Sequence, residues 1–352
     1  MSEYPVRIGA EKFIELSGSI QMIDVRTPSE YKKGHIPRSF NIPLFSDEER
    51  AMVGTVYKQQ NSLSAIMVGL DIVGPKMSAL LKQGLKKTGN DKKLLLYCWR
   101  GGSRSESMAW LFSNAGIECN VLEGGYKAYR NHILAKLGMP RKLIVLGGLT
   151  GSGKTAILSE LSGMGEQVVD LEKIACHKGS AFGALGQDEQ PSSEHFANLL
   201  YDEVRKHNPD HRLFVEDESH NIGTVYIPEI FFSLIQNAMV IALMPDIRTR
   251  LPRLRNEYGI FGHEKLVESV QRISRKLGGA NTETAVKAIM NDNLDTAIEI
   301  VLKYYDKTYR YGLSKRPKDK IFFVESPWDD PKENALKVKM LADKIEAGIT
   351  AF

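Results

Sequence analysis

Cysteine is scarce: Cys98, Cys119 and Cys176 are the only three in the chain. They are too few and too scattered for a disulfide framework or a cysteine-built zinc site, so a reducing compartment is expected. Long apolar runs are also wanting. Ser233 to Pro245 reads as the most apolar segment, and Gln236 and Asn237 interrupt it. It falls short of the roughly 18 apolar residues that argue for a membrane span, so no membrane partner is expected. Met1-Ser2-Glu3-Tyr4-Pro5 lacks the basic and apolar pattern of a secretory leader. Neither sign of charge dominates. A net charge of +4 is compatible with an anionic partner but does not demand one. Repeats and low-complexity tracts are missing. These absences leave a cytoplasmic globular chain whose 352 residues suffice for two domains.

Short apolar runs alternate with helical stretches from Gln21 to about Tyr129. Met22 to Val25, Leu94 to Tyr97 and Asn120 to Leu122 read as strands; Met77 to Leu85 and Ser105 to Asn114 read as helices. Such alternation implies a mainly parallel sheet with helices on its faces. A second α/β series begins at Lys142 to Leu146. It continues through strands at Gln167 to Asp170, Leu213 to Glu216, Val240 to Leu243 and Ile321 to Val324. Residues 246–311 offer no convincing strand and read as helices. Gly138-Met139-Pro140 is the natural boundary, giving domains of 1–138 and 139–352.

The strongest chemical signal in the first half is Tyr97-Cys98-Trp99-Arg100-Gly101-Gly102-Ser103-Arg104-Ser105. A strand runs into a cysteine, a glycine-containing loop and then a helix. Backbone N–H groups and the helix N-terminus would converge on the sulfur, with Arg100 and Arg104 adding full charges. A thiolate-rich nucleophile is the expected result, in a loop able to hold a sulfane sulfur, a selenide or a phosphate. Cys119 and Cys176 lack such neighbours and read as structural. Five residues separate Cys98 from Arg104, a spacing that cysteine phosphatases also use, so a phosphatase reading survives on the loop alone.

Gly148-Leu149-Thr150-Gly151-Ser152-Gly153-Lys154-Thr155 matches the P-loop pattern in full, between a strand and a helix. The glycines let the backbone wrap a di- or triphosphate. Lys154 reaches the outer phosphates, and Thr155 is the ligand for magnesium if magnesium takes part. Acidic partners are expected after neighbouring strands: Glu216 and Asp217 in one case, Asp170 in the other. Glu172 and Glu218 read as capping or solvated carboxylates. The pattern leaves open whether the polyphosphate is ATP.

Asp24-Val25-Arg26-Thr27-Pro28-Ser29-Glu30-Tyr31, Gly34-His35-Ile36-Pro37, Asn41-Ile42-Pro43 and Gly124-Gly125-Tyr126 resemble the rhodanese family across most of residues 10–130. In that family the cysteine at the position of Cys98 carries a persulfide. The resemblance implies that Asp24 and Arg26 organise the loop, and a structural ion pair is the alternative. A rhodanese-like parallel-sheet domain followed directly by a P-loop NTPase-like α/β domain with a helical extension resembles the tRNA 2-selenouridine synthase family. Gly54 to Gln60, Ala65-Ile66, Gly69-Leu70, Asp170-Leu171-Glu172, His177 to Gly183, Gln190-Pro191-Ser192 with Phe196, Val215 to Ser219 and Ile222-Gly223 carry that likeness.

The resemblance implies a tRNA-modifying transferase acting on the wobble 2-thiouridine of the anticodon. Sulfur is exchanged for selenium from selenophosphate, through an S-geranylated intermediate made from geranyl diphosphate. Cys98 then holds or delivers selenium as a perselenide. Selenophosphate and geranyl diphosphate are co-substrates, no cofactor is tightly bound, and the selenophosphate-producing enzyme is a candidate partner. Two further readings stay open, a rhodanese-type sulfurtransferase and a P-loop kinase acting on a small molecule.

From residue 248 to 276 eight positive side chains face three negative ones. Arg248, Arg250, Arg253, Arg255, Arg272 and Arg275 are the candidates for tRNA phosphate contacts. Tyr57, Lys58 and Tyr258 could add stacking or backbone contacts. The competing expectation is a set of arginines closing over the P-loop ligand.

Overall fold

The computed structural model of the chain describes residues 5–326 and 328–348. Met1 to Tyr4 of the leader reading therefore lie outside them. The chain divides into two compact units between Lys136 and Leu137.

The first unit holds strands β1 (Val6–Ile8), β2 (Gln21–Asp24), β3 (Phe40–Asn41), β4 (Lys93–Tyr97) and β5 (Glu118–Leu122), in the order β1-β5-β4-β2-β3. Every pairing is parallel. Leu94, Leu95 and Leu96 are fully buried. A strand covered on both faces reads as an unbroken apolar run, which is why β4 was visible in the sequence. β1 and β3 have three and two residues, too few to show a period.

Two helices, Asp47–Gln59 and Ser62–Val73, were not anticipated. Each has a clear start: Ser46 caps the first through a capping box, and Asn61 Oδ1 accepts from the Ser64 N–H. They also correct the sequence reading of apolar content. Ser62–Leu85 spans 24 residues and contains an 18-residue window with a mean hydropathy of 1.4, long and apolar enough to cross a membrane by length and composition alone. The 3₁₀ turn Gly74–Lys76 breaks it, because Pro75 has no N–H to continue the ladder. Asp71 and Lys76 hid the run from a search for uninterrupted apolar residues.

The second unit holds β6 (Leu143–Gly148), β7 (Gln167–Val169), β8 (Leu213–Glu216), a small antiparallel hairpin of β9 (Asn221–Ile222) and β10 (Val225–Tyr226), β11 (Met239–Leu243) and β12 (Ile321–Val324). The main sheet is parallel, in the order β12-β11-β6-β8-β7. Helices Ile247–Tyr258, His263–Arg272, Ser274–Leu277, Gly279–Met290 and Leu294–Leu313 fill the stretch read as helical. They build their own core from Leu254, Tyr258, Leu266, Val270, Ala285, Ile298 and Leu302. The loops leaving the C-terminal ends of β6, β7 and β8 converge, at the edge where parallel α/β sheets place their ligands.

Candidate functional site

In the first unit, β4 ends at Tyr97 and the helix Ser103–Ser113 starts after Gly102. Cys98 stands between them and is only 3% exposed. Its Sγ accepts from the Gly102 N–H at 3.3 Å and from the Ser105 hydroxyl at 3.3 Å. Donors therefore point at the sulfur, from the first turn of a helix whose N-terminus carries positive potential. The loop is held from behind: the Tyr126 and Lys127 amides donate to the Cys98 and Trp99 carbonyls at 2.8 and 3.0 Å. Gly101 has φ +66°, and a Cβ there would lie 2.4 Å from the Leu122 carbonyl oxygen. A Cβ on Gly125 would lie 2.4 Å from the Cys98 carbonyl oxygen. Both glycines are required by this close approach.

The surrounding charges divide by burial. Asp24 and Arg26 form a fully buried pair, with Arg26 Nη2 donating to Asp24 Oδ2 at 2.6 Å and to the Gly34 carbonyl at 2.7 Å. The Arg26 guanidinium lies 3.9 Å from the centre of the Tyr126 ring. This pair braces the segment behind the loop, and its hydrogen bonds run to Asp24 and Gly34. Arg104 gives its charge to Glu30, with Nη1 donating to Oε2 at 2.6 Å. Arg100 is exposed. Cys119 is buried against the sheet, and burial pushes its thiol up to about 12, the behaviour of an inert structural cysteine.

In the second unit, β6 leads through Leu149 to Gly153 into the helix Lys154–Gly163. Gly151 and Gly153 have φ +82° and +80°. A Cβ on Gly151 would lie 2.9 Å from Leu254, and one on Gly153 would lie 2.8 Å from the Arg253 guanidinium. The loop is thus packed against the helix Ile247–Tyr258. Ser152 Oγ is buried and has no hydrogen-bond partner.

The acidic residues sort differently from expectation. Asp217 is committed to Arg316, whose Nη2 donates to Oδ1 at 2.7 Å. Glu216 is fully buried and accepts from the Leu171 N–H at 2.7 Å. Asp170 caps the short helix Leu171–Ala175, accepting from the Lys173 N–H. Glu172 and Glu218 are the carboxylates at the loop. Thr155 Oγ1 donates to Glu172 Oε2 at 3.2 Å. A Cβ on Gly179 would meet both carboxyl groups, at 2.7 Å for Glu218 and 3.2 Å for Glu172. Burial, then the neighbouring Glu172 carboxylate, pushes Glu218 up to about 8; burial raises Glu172 as well. Sequence reasoning passed over both. The available signal was that they follow the ends of β7 and β8, which are paired neighbours.

A second correction concerns the arginines assigned to tRNA. Arg250 is only 2% exposed and cannot reach a nucleic acid. It clamps Asp306 with both terminal nitrogens and donates to the Thr150 carbonyl of the phosphate loop at 3.1 Å. Arg253 lies on Gly153 and pairs with Asp329. Arg248, Arg255, Arg272 and Arg275 are exposed, and the first three pair with Asp246, Asp295 and Glu268. Tyr258, expected at a tRNA surface, is buried.

Beside the phosphate loop lies a small apolar cleft. Thr150 stands in its lining, and Leu254, Tyr258, Ile298, Val301 and Tyr305 build most of the rest. The Tyr305 hydroxyl accepts from the Ala181 N–H at 2.6 Å, and that of Tyr258 bonds Ser180. The tyrosine hydroxyls are thereby taken up, and the walls are almost wholly apolar.

Comparison with known proteins bears on both units. Residues 10–132 match the rhodanese-like domain, and residues 141–329 match the tRNA 2-selenouridine synthase AAA domain. The tRNA 2-selenouridine synthase of Shewanella woodyi is 36% identical, over 88% of this chain and 92% of its own length. That of Shewanella sediminis is 35% identical, over 92% of this chain and 95% of its own. The Nitrosomonas europaea protein of the same name is 38% identical over 67% of this chain and 63% of its own length. The chain belongs to the tRNA 2-selenouridine synthase family. Membership makes it an enzyme built from a rhodanese-like parallel-sheet unit and a P-loop-type α/β unit with a helical extension.

Proposed function

We propose that this enzyme is a cytoplasmic transferase that replaces the sulfur of wobble 2-thiouridine in tRNA with selenium from selenophosphate, by way of an S-geranylated nucleoside. The observation that carries the reading is the apolar cleft beside Thr150. A phosphate loop alone suits a nucleotide or a prenyl diphosphate. A nucleotide's base and ribose need polar partners, and the cleft walls supply almost none. A hydrocarbon chain attached to a diphosphate matches the chemistry of both parts, the apolar lining and the phosphate loop, and this disfavours a kinase.

The chemistry follows. A thiocarbonyl sulfur is a poor leaving group. When it attacks the first carbon of geranyl diphosphate, the C–S bond forms and the C–O bond breaks with its electron pair on the departing diphosphate. The uracil loses its N3 proton to solvent, and C2 becomes electrophilic. Lys154 and the loop amides stabilise the diphosphate as its charge grows. Thr155, Glu172 and Glu218 offer hard oxygen donors of the kind magnesium prefers, and a magnesium ion bound there would neutralise the diphosphate further. Among the described residues no group of three or more His, Cys, Asp or Glu side chains gathers around a metal position. In the rhodanese-like unit, Cys98 and its loop donors hold the selenium-bearing anion. The selenium of selenophosphate bonds to C2 as the C2–S bond breaks and geranyl thiol leaves with a proton; water then cleaves the Se–P bond and inorganic phosphate departs. The exposed Arg248, Arg255, Arg272 and Arg275 are the surface for tRNA phosphates.

Mass spectrometry of wobble nucleosides from complemented deletion cells tests the division of labour. Cys98→Ala should abolish 2-selenouridine and leave S-geranyl-2-thiouridine. Lys154→Ala should deplete both products. Full selenation by the Cys98→Ala enzyme removes Cys98 from the reaction.

A further inference from the structure

We propose that Arg253 binds the outer phosphate of the P-loop ligand, and that Asp329 occupies Arg253 until the ligand takes it over. This rests on the reading of Gly148 to Thr155 as a phosphate site, and extends it to a residue on a different helix. The guanidinium carbon and both terminal nitrogens of Arg253 lie 2.8 Å from the position of a Cβ on Gly153. The charged head therefore rests on the backbone that wraps the phosphates, and only a glycine leaves it room. Neighbouring residues of the same helix fix that placement. Arg250, one turn earlier, is buried and tied to Asp306 and to the Thr150 carbonyl, and Leu254 packs on Gly151. A helix anchored at both points cannot carry Arg253 away from the loop.

Arg253 is the cation of this helix that meets the loop and keeps an exchangeable partner. Its Nε donates to Asp329 Oδ2 at 3.3 Å, and Nη2 contacts Oδ1. The Arg253 side chain is 23% exposed and Asp329 43%. Partly exposed pairs of this kind are weakly held. A diphosphate carries more negative charge than one carboxylate and presents oxygens that match the guanidinium fork. Asp329 lies between β12 and the helix Pro331–Glu346, and its carboxylate satisfies Arg253 when no anion is bound. Arg250 has no such freedom, because it is itself buried and grips Asp306 with both terminal nitrogens.

Titration calorimetry of the full-length enzyme with inorganic pyrophosphate tests the exchange without reference to any prenyl group. Arg253→Met should weaken pyrophosphate binding by about ten- to a hundred-fold, the usual effect of losing one charge-assisted contact. Asp329→Asn should tighten it by about three-fold, since a competing partner is gone. A gain in affinity cannot come from misfolding, so the second variant guards the first. Arg253→Met binding pyrophosphate like the parent refutes the contact. Unchanged or weakened binding in Asp329→Asn refutes the exchange. If the parent enzyme itself binds no pyrophosphate, the phosphate-site reading fails instead. Gel-shift affinity for tRNA should be the same in parent and Arg253→Met; a loss there with intact pyrophosphate binding returns Arg253 to the RNA surface.

Discussion

Val301→Phe is the sharpest perturbation of the apolar cleft. Val301 sits on the helix Leu294–Leu313, is 4% exposed and faces the cleft wall. A phenyl ring there projects into the space assigned to the hydrocarbon chain. Each buried methylene contributes about 0.8 kcal/mol, so displacing roughly three carbons of a ten-carbon chain costs about 2.4 kcal/mol, close to sixty-fold in affinity. Prenyl transfer from labelled geranyl diphosphate to a 2-thiouridine anticodon stem-loop reads this as a raised KM. A five-carbon dimethylallyl donor ends short of the new ring and should keep its KM. Inhibition by pyrophosphate, which never enters the cleft, should also stay put. The cleft absorbs part of the added volume, so the loss of stability should be about 1 kcal/mol, the low end for overpacking. If Val301→Phe leaves the geranyl KM within two-fold of the parent while the protein stays folded, the chain does not lie where it is placed here. A uniform loss for all three ligands points to a distorted phosphate loop instead.

Two further tests probe the rhodanese-like unit. Asp24→Asn leaves Arg26 buried without its counter-ion, and urea denaturation should show a loss of about 3 kcal/mol, the low end for breaking a buried pair; the Gly34 carbonyl and the Tyr126 ring remain as partners, and a loss below about 1 kcal/mol contradicts the bracing role. Burial pushes the Glu30 carboxyl up, but Arg104 outweighs it and holds the group below its ordinary 4.5. A depressed carboxylate stabilises the fold above its unfolded value and loses that contribution as pH falls through the lower folded one. Glu30→Gln should therefore flatten the stability profile below about pH 4.5 and leave it unchanged in slope near neutrality, and an unaltered acid limb in chemical denaturation sinks the assignment.

Much of this architecture was legible because parallel strands announce themselves. Leu94 to Tyr97 and Leu143 to Leu146 are buried on both faces and carry no alternation to confuse with anything else. The two loops were legible for a related reason: a cysteine or lysine among glycines, after a strand and before a helix, has few other uses. The arginines were harder. In sequence Arg250 and Arg255 look alike, five residues apart on one helix. Only tertiary packing turns the first toward Thr150 and Asp306 and leaves the second in solvent with Asp295. Glu172 and Glu218 were misjudged for the same reason. Their sequence neighbours look polar and solvated, and the segment that approaches both carboxyl groups, at Gly179, is separate in sequence from each. The cleft was invisible, since Leu254, Ile298 and Val301 carry the apolar spacing of any helical core.

The two loops solve one physical problem twice. Each sets a loop at the C-terminal end of a parallel strand, in front of a helix N-terminus, a frame suited to an anion, with glycines where a Cβ would collide with neighbouring atoms. They differ in where the remaining charge is supplied. At Cys98 the group to be held is a side chain of the protein, and Arg26 and Arg104 are paired with Asp24 and Glu30 while Arg100 is exposed. A permanently bound cation there would hold the sulfur's charge and dull its nucleophilicity. At Gly148 to Thr155 the proposed diphosphate comes and goes, and Lys154 and Arg253 stand at the loop itself. A leaving diphosphate gains charge as its bond breaks, so cations that strengthen their hold at that moment accelerate the step. On the proposed function, the same strand-loop-helix frame serves a nucleophile in one unit and a leaving group in the other, and the difference lies in the arginine's partner: Asp24 keeps Arg26 in a fully buried pair, whereas the part-exposed Asp329 is placed to yield Arg253 to the ligand.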